Sequence, residues 1–305
     1  MNATDMAVIS VKNLSKRYGR IIAASDVTFD IPKGSIFGLL GTNGAGKTTT
    51  FKCMLGLARA DSGMVLLGGA PLRPKTFEEL SYVPETSALY DWMTGRDHLE
   101  FTRRAFRRYA AGRARELLEL FGLDPMRKAG KLSKGQQSAL ALTMAFSIRP
   151  RMLVLDEPSS GLDPLHQRHV LDLMIDAAAG GATVLFSSHQ IGQVERAADH
   201  VAILHQGKIV VQGEVDQLKA SEKIVEATFD PHVPALDGLD ADPNVRRVMR
   251  NGRMIRAFVR GNADEVARRI NVASPTSIRV LDQNLEDIFV AAVGAQASSA
   301  AGREV

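Results

Sequence analysis

The stretch Gly41–Thr49, GTNGAGKTT, has the spacing G-x-x-x-x-G-K-[ST]. It follows a continuous apolar run, SIFGLL, and leads into a segment that reads as a helix. Each residue type has a physical task. Gly41, Gly44 and Gly46 let the backbone curl, so that successive N–H groups of the loop (Thr42, Asn43, Ala45 and Thr49 among its members) aim at phosphate oxygens. A helix N-terminus adds positive potential at the same place. Lys47 can reach β- and γ-phosphates as a compact charge. Thr48 offers a hydroxyl to Mg²⁺. The bland alternative is a glycine-rich turn that happens to precede a lysine; the strand before it and the helix after it argue against that.

Four further places carry chemistry, each weak alone. In MLVLDEP, an apolar strand delivers Asp156 and Glu157 at its C-terminal end, the edge at which open α/β sheets bind ligands. Asp156 can hold Mg²⁺, and Glu157 is then placed to accept a proton from an attacking water. In LSKGQQ, Ser133 and the N–H of Gly135 open a helix and form a second anion site. By itself that pattern is a plain helix cap. His189 ends TVLFSSH, a strand expected in the same sheet as the Asp156 strand. Glu85 follows Pro84 in YVPET, at the mouth of a loop after a strand, where most acids are simply solvated.

These side chains need a scaffold that brings several strand ends together. MAVISVKNL, SDVTFDIPKG, SIFGLL, SGMVLLGG, LSYVPE, MLVLDEP and TVLFSSH read as strands, the fully apolar ones as buried parallel strands. Helices are expected from Lys47, across Thr94 to Leu123, from Ser133 to Ile148, from Pro164 to Ala179 and near Ile191 to Ala198. VAILHQGKIVVQG predicts a hairpin turning at Gln206-Gly207. The alternation predicts an α/β fold, a doubly wound and mostly parallel sheet, interrupted by a helical insert over residues 94 to 149. A boundary is expected near Ala220-Ser221, giving residues 1–220 and 221–305. The second part reads strand, strand, strand, helix, strand, helix, with a hairpin turn at Asn251-Gly252 and a frayed tail, AQASSAAGREV.

Bulk properties agree without selecting a function. The 305 residues carry a net charge of +4 and are 45% hydrophobic, ordinary for a globular chain. A single cysteine, Cys53, allows no internal disulfide, fits a reducing compartment and reads as a small buried hydrophobe. No stretch is long and apolar enough to cross a bilayer, and MNATDMAVISVKNL lacks the pattern of a secretory signal. The arginines 103, 104, 107, 108, 113 and 115 suit a solvated helix face, or a patch facing acidic headgroups or a membrane partner. No aromatic platform accompanies them, so nucleic acid is not expected.

Together, GTNGAGKTT, LSKGQ, LVLDEP, SSGLD and His189 resemble, in type and order, the Walker A, signature, Walker B, D-loop and switch-histidine motifs of ABC transporter ATP-binding subunits. The resemblance covers about residues 6 to 220, and NLEDIFVAAVG looks like the tail of the subfamily serving exporter-type (ABC-2-like) permeases. It implies a P-loop ABC ATPase core with a β subdomain and a helical insert, plus a small C-terminal α/β domain. It implies an ATPase using ATP and Mg²⁺, with Glu157, His189 and Lys47 in catalysis. ATP would also meet Tyr18 stacked on adenine, Gln136 and Asp163. It implies a head-to-tail pair, a homodimer for preference, in which Lys47 of one copy and Ser133 and Gly135 of the other enclose each ATP. The pair would sit on the cytoplasmic face of the membrane and drive a separate permease, in the direction of export. Two departures stand out: Lys134 replaces the commoner glycine, and QQSALALTMAF lacks an arginine many relatives have. The family's usual glutamine is Glu85 here, so Thr48, Glu85 and Asp156 form the expected metal set. A carboxylate about 4 Å from a phosphate charge is repelled by about 4 kcal/mol at an effective dielectric near 20, so Glu85 is tolerable there with Mg²⁺ between them or when protonated. An ABC ATPase acting on ribosomes or nucleic acid, and an unrelated P-loop kinase, are the competing readings. The first usually has two cassettes in one chain, and the second leaves the signature and His189 unexplained.

Overall fold

The computed structural model describes residues 7–71, 77–86, 88–236 and 238–301. Met1–Met6, which the signal-sequence and first-strand expectations touch, lie outside them. Two compact units divide at Gln212/Gly213, ahead of the expected boundary.

The first unit contains β1 (Ala7–Tyr18), β2 (Ile21–Pro32), β3 (Ile36–Leu40), α1 (Lys47–Met54), β4 (Ser62–Leu67), β5 (Ala70–Pro71), β6 (Leu80–Val83), α2 (Gly95–Ala105), α3 (Ala111–Leu120), α4 (Lys134–Ser147), β7 (Met152–Leu155), α5 (Pro164–Ala179), β8 (Thr183–Ser188), α6 (Ile191–Ala197), β9 (His200–His205) and β10 (Lys208–Glu214). A six-stranded sheet runs β10-β9-β3-β8-β7-β6. Its pairs β9–β3, β3–β8, β8–β7 and β7–β6 are parallel, and β10 folds back on β9 through Gln206-Gly207, both at positive φ. Strands β3, β7 and β8 are buried throughout, which is why β3, β7 and Val184–Phe186 of β8 are apolar without alternation. A second sheet, β2-β1-β4-β5, is antiparallel. Between the two lies one core, in which Phe51, Leu39, Val154 and Leu185 are fully buried and Phe29 stacks on Phe37 at 5.2 Å. Cys53 belongs to this core; burial, its largest influence, raises the thiol pKa and keeps it an unreactive small hydrophobe. The parallel order places the C-terminal ends of β3, β7 and β8 side by side.

Two expectations need correction in this unit. The first two strands run further than predicted and meet at Gly19-Arg20 as one hairpin. The insert is not one helix from Thr94 to Leu123. Helix α2 starts at a capping box made by Thr94 and Asp97 and stops at Phe106, whose backbone is extended. Ala110, also extended, donates its N–H to the Ser147 carbonyl at 2.8 Å before α3 begins. That tertiary tie breaks a pattern that reads as continuous. Arg103 and Arg104 both pair with Glu100, and Arg113 with Glu116.

The second unit follows with α7 (Val215–Ser221), β11 (Glu222–Thr228), β12 (Val245–Asn251), β13 (Met254–Arg260), α8 (Ala263–Asn271), β14 (Ser277–Asp282) and α9 (Leu285–Ala301). Its antiparallel sheet has the order β12-β13-β11-β14. Asn251 pairs with Met254, so the hairpin turns at Gly252-Arg253, one residue beyond the expected site. Glu222 opens β11 completely buried, facing Arg246 at 3.0 Å and Arg260 at 3.8 Å. Helix α9 runs to Ala301, as the alanine content of the segment favours; residues 302–305 lie outside the described residues.

Candidate functional site

The loop between β3 and α1 turns on Gly44 (φ 79°) and Gly46 (φ 109°). At Gly46 a Cβ would fall 2.0 Å from the Ala23 carbonyl oxygen, and at Gly41 one would fall 2.5 Å from that of Leu204. Neither position admits a side chain, so the backbone itself forms the surface. Thr42, Asn43 and Gly44 are exposed, Ala45 is buried, and Thr48 and Thr49 are half-buried in the first turn of α1. The Lys47 side chain is only 6% exposed. Its ammonium donates to the carbonyls of Gly41 (2.7 Å) and Thr42 (3.2 Å) and stands 3.0 Å from Glu157 Oε1.

The carboxylates come from the end of β7. Asp156 is 1% exposed, and its N–H donates to the Val83 carbonyl at 2.9 Å. Its Oδ1 accepts from Ser187 Oγ at 2.6 Å, while Oδ2 is buried with no hydrogen-bond partner among the described residues. Glu157 has φ 49°, a left-handed backbone that costs a non-glycine residue and marks a position held by its surroundings. Its N–H donates to the same Ser187 Oγ at 2.9 Å. Glu157 Oε2 meets His189 Nδ1 at 2.8 Å, with the imidazole half-exposed. Lys47, Asp156, Glu157 and His189 therefore form one cluster. Ser187 ties it together and was not foreseen, because a serine inside a buried strand reads as packing. The parallel register Leu155↔Phe186 puts Ser187 beside Asp156. An unpaired buried carboxylate oxygen suits a hard divalent cation, and Thr48 follows Lys47, which stands 3.0 Å from the neighbour of Asp156, so the chemistry of Thr48 and Asp156 fits Mg²⁺. Glu85 is exposed just beyond β6 and Pro84.

The remaining expected residues stand apart from this cluster. Ser133 caps α4: its Oγ accepts the Gln136 N–H at 3.2 Å, and Gln136 Oε1 accepts the Ser133 N–H at 3.0 Å. Both are occupied with each other. A Cβ on Gly135 would lie 2.7 Å from the Gly161 carbonyl oxygen, so the start of α4 packs on the loop that follows Glu157. Asp163 caps α5. Hydrogen bonds from the His166 backbone N–H above all, and from the His166 ring and the Leu165 N–H, hold its carboxyl below the usual range. Tyr18 is exposed at the end of β1, with the Lys16 ammonium 5.1 Å above its ring.

Comparison with known proteins agrees with this geometry. The model of the ABC transporter family matches residues 24–160. The ABC-type transporter ATP-binding protein EcsA of Bacillus subtilis is 34% identical over 238 residues, 74% of this chain and 94% of EcsA. The Nod factor export ATP-binding protein I of Burkholderia lata is 30% identical over 302 residues, 95% of this chain and 98% of that protein. A solved ATP-binding subunit of an ABC transporter superposes with a TM-score of 0.65 at 33% identity, over 70% of this chain and 92% of that one.

Proposed function

Because the chain belongs to the family of ABC transporter ATP-binding proteins, we propose that it hydrolyses ATP to drive export through a permease on a separate chain. The observation that carries the catalytic reading is the Lys47–Glu157–His189 cluster, a buried ion pair with a half-exposed imidazole on it, built on the ends of β3, β7 and β8. The export relative, matched over nearly its whole length, supports the direction. Residues 1–220 are assigned the nucleotide work and residues 221–305 an accessory role. Among the described residues no helix is long and apolar enough to cross a membrane, and we assign the crossing to the permease. We place the protein on the cytoplasmic face of the membrane, as a homodimer bound to that permease.

The phosphates of ATP lie along Gly41–Thr49, where backbone N–H groups and the start of α1 meet negative charge. Lys47 exchanges part of its contact with Glu157 for the β- and γ-phosphates. Glu157, released at Oε1 and still held by His189 at Oε2, accepts the proton of the attacking water. His189 keeps the carboxylate aimed. Asp156 and Thr48 would hold Mg²⁺, with Glu85 joining only while the ion stands between it and the phosphates. A Mg²⁺ ion held by these residues would supply positive charge against the charge that develops on the γ-phosphate. Ser133, Gly135 and Gln136 of a second copy cover the same ATP, which is why they stand away from Lys47 within one chain. Tyr18 stacks on adenine, and Asp163 contributes from the loop after Glu157.

Glu157→Gln keeps the shape and removes the base. It should bind ATP with native affinity while turnover falls by about 10²–10⁴-fold, the usual worth of a general base. A variant hydrolysing ATP at the native rate would remove Glu157 from that role. Purification of the tagged protein from detergent-solubilised membranes of its own cells should bring down an integral membrane protein. Repeated purification without one would overturn the transport reading and leave the ATPase reading standing.

A further inference from the structure

Strands β6 and β7 run parallel with Tyr82 opposite Val154. Side chains alternate along a strand, so Tyr82, Val154 and Asp156 belong to one face. The Tyr82 ring packs on the core of that face, with Val154 and Leu185, and Ser187 meets Asp156 there. Tyrosine on a strand beside such a core reads as packing. In the structure that hydroxyl is buried without a hydrogen-bond partner. So is Asp156 Oδ2. Tyrosine hydroxyls normally find a partner when buried, because desolvating one without a bond is costly. Burial, and then the negative charges of Asp156 and Glu85, raise the hydroxyl's pKa, so it remains an O–H donor. A donor therefore stands near two carboxylates of the expected metal set without bonding to either.

We propose that Tyr82 is a positioning residue for the metal, its hydroxyl donating a hydrogen bond to a water molecule in the coordination shell of Mg²⁺ held at Asp156. The inference rests on the Mg²⁺–ATP reading given above. Mg²⁺ gives up its waters reluctantly and is typically held by one or two carboxylates with several waters retained, which a fixed neutral donor can orient. Tyr82 would thus act on the metal through water, on the side of the strand that leads into the Glu85 loop.

The test is a cycle with a non-hydrolysable fluorescent ATP analogue, titrated with Mg²⁺ and in EDTA, for the native protein and Tyr82→Phe. Mg²⁺ should strengthen native binding. In Tyr82→Phe that enhancement should shrink by about five- to tenfold, the worth of one hydrogen bond, while affinity in EDTA stays native. Thermal melting without nucleotide should be unchanged or higher, since the substitution removes a buried hydroxyl that has no partner in the protein. An equal Mg²⁺ enhancement in both proteins overturns the proposal. Equal losses with and without Mg²⁺, together with a lower melting point, assign Tyr82 to packing and overturn it too. A native protein that does not bind the analogue at all instead sinks the reading on which the proposal stands.

Discussion

At the scale of single residues, Lys47 and Glu157 are each other's counter-charge in an almost buried setting, at 6% and 8% exposure. A buried pair adds little net stability, but breaking it strands a charge. Lys47→Ala should therefore do two things. It should abolish detectable binding of fluorescent ATP, and it should lower the unfolding free energy without nucleotide by about 3 kcal/mol. The double variant Lys47→Ala/Glu157→Gln should recover most of that stability and none of the binding. Urea unfolding of the three proteins decides it; equal stability of Lys47→Ala and native would show the pair to be slack. The residues named from sequence were those whose chemistry dictates their type: glycines where a side chain cannot fit, a lysine and a threonine beside phosphate. Ser187 and Tyr82 were illegible because neither type is diagnostic on a strand. Their roles arise from strand register and from unmatched polar atoms, which only the packed sheet supplies.

At the scale of elements, buried parallel strands were readable because both of their faces are apolar, and α4 was readable from its cap. The break between α2 and α3 was not, because an arginine-rich helical pattern runs straight through it and the Ala110–Ser147 hydrogen bond lies far from it in sequence. The start of α4 sets two effects against each other at Gly135. Helix propensity alone predicts that Gly135→Ala stabilises by up to about 1 kcal/mol. The new Cβ, however, would stand 2.7 Å from a backbone carbonyl, which cannot rotate aside as a flexible side chain does. Sterics should win: Gly135→Ala is expected to lose about 1–3 kcal/mol in urea unfolding, as overpacked sites do. A gain in stability would mean that the loop at Gly161 yields.

At the scale of the whole molecule, acid titrates the protein in two directions. Groups such as Asp163, Asp240 and Asp282 have carboxyls held below 3.8, each chiefly by a hydrogen bond, and lose their contribution only as pH falls below that value. Glu222 is the opposite case. Burial above all raises its pKa above 4.5, against the pull of Arg246 and Arg260, so the folded chain binds its proton more tightly than the unfolded chain does. Stability from this group is present below 4.5 and is lost as pH rises through the raised value. The stability difference between native protein and Glu222→Gln should drift with pH inside that window and level off above it; a flat difference would mean that Glu222 titrates normally. The proposed head-to-tail pair gives the contact between Gly135 and Gly161 a further meaning. The helix start that one copy lends to its partner's ATP rests, within its own chain, on the loop that follows its own Glu157. Occupancy of one composite site would then be felt at the other through a single van der Waals contact rather than a long relay. Two such sites should fire cooperatively, with a Hill coefficient for ATP between one and about two.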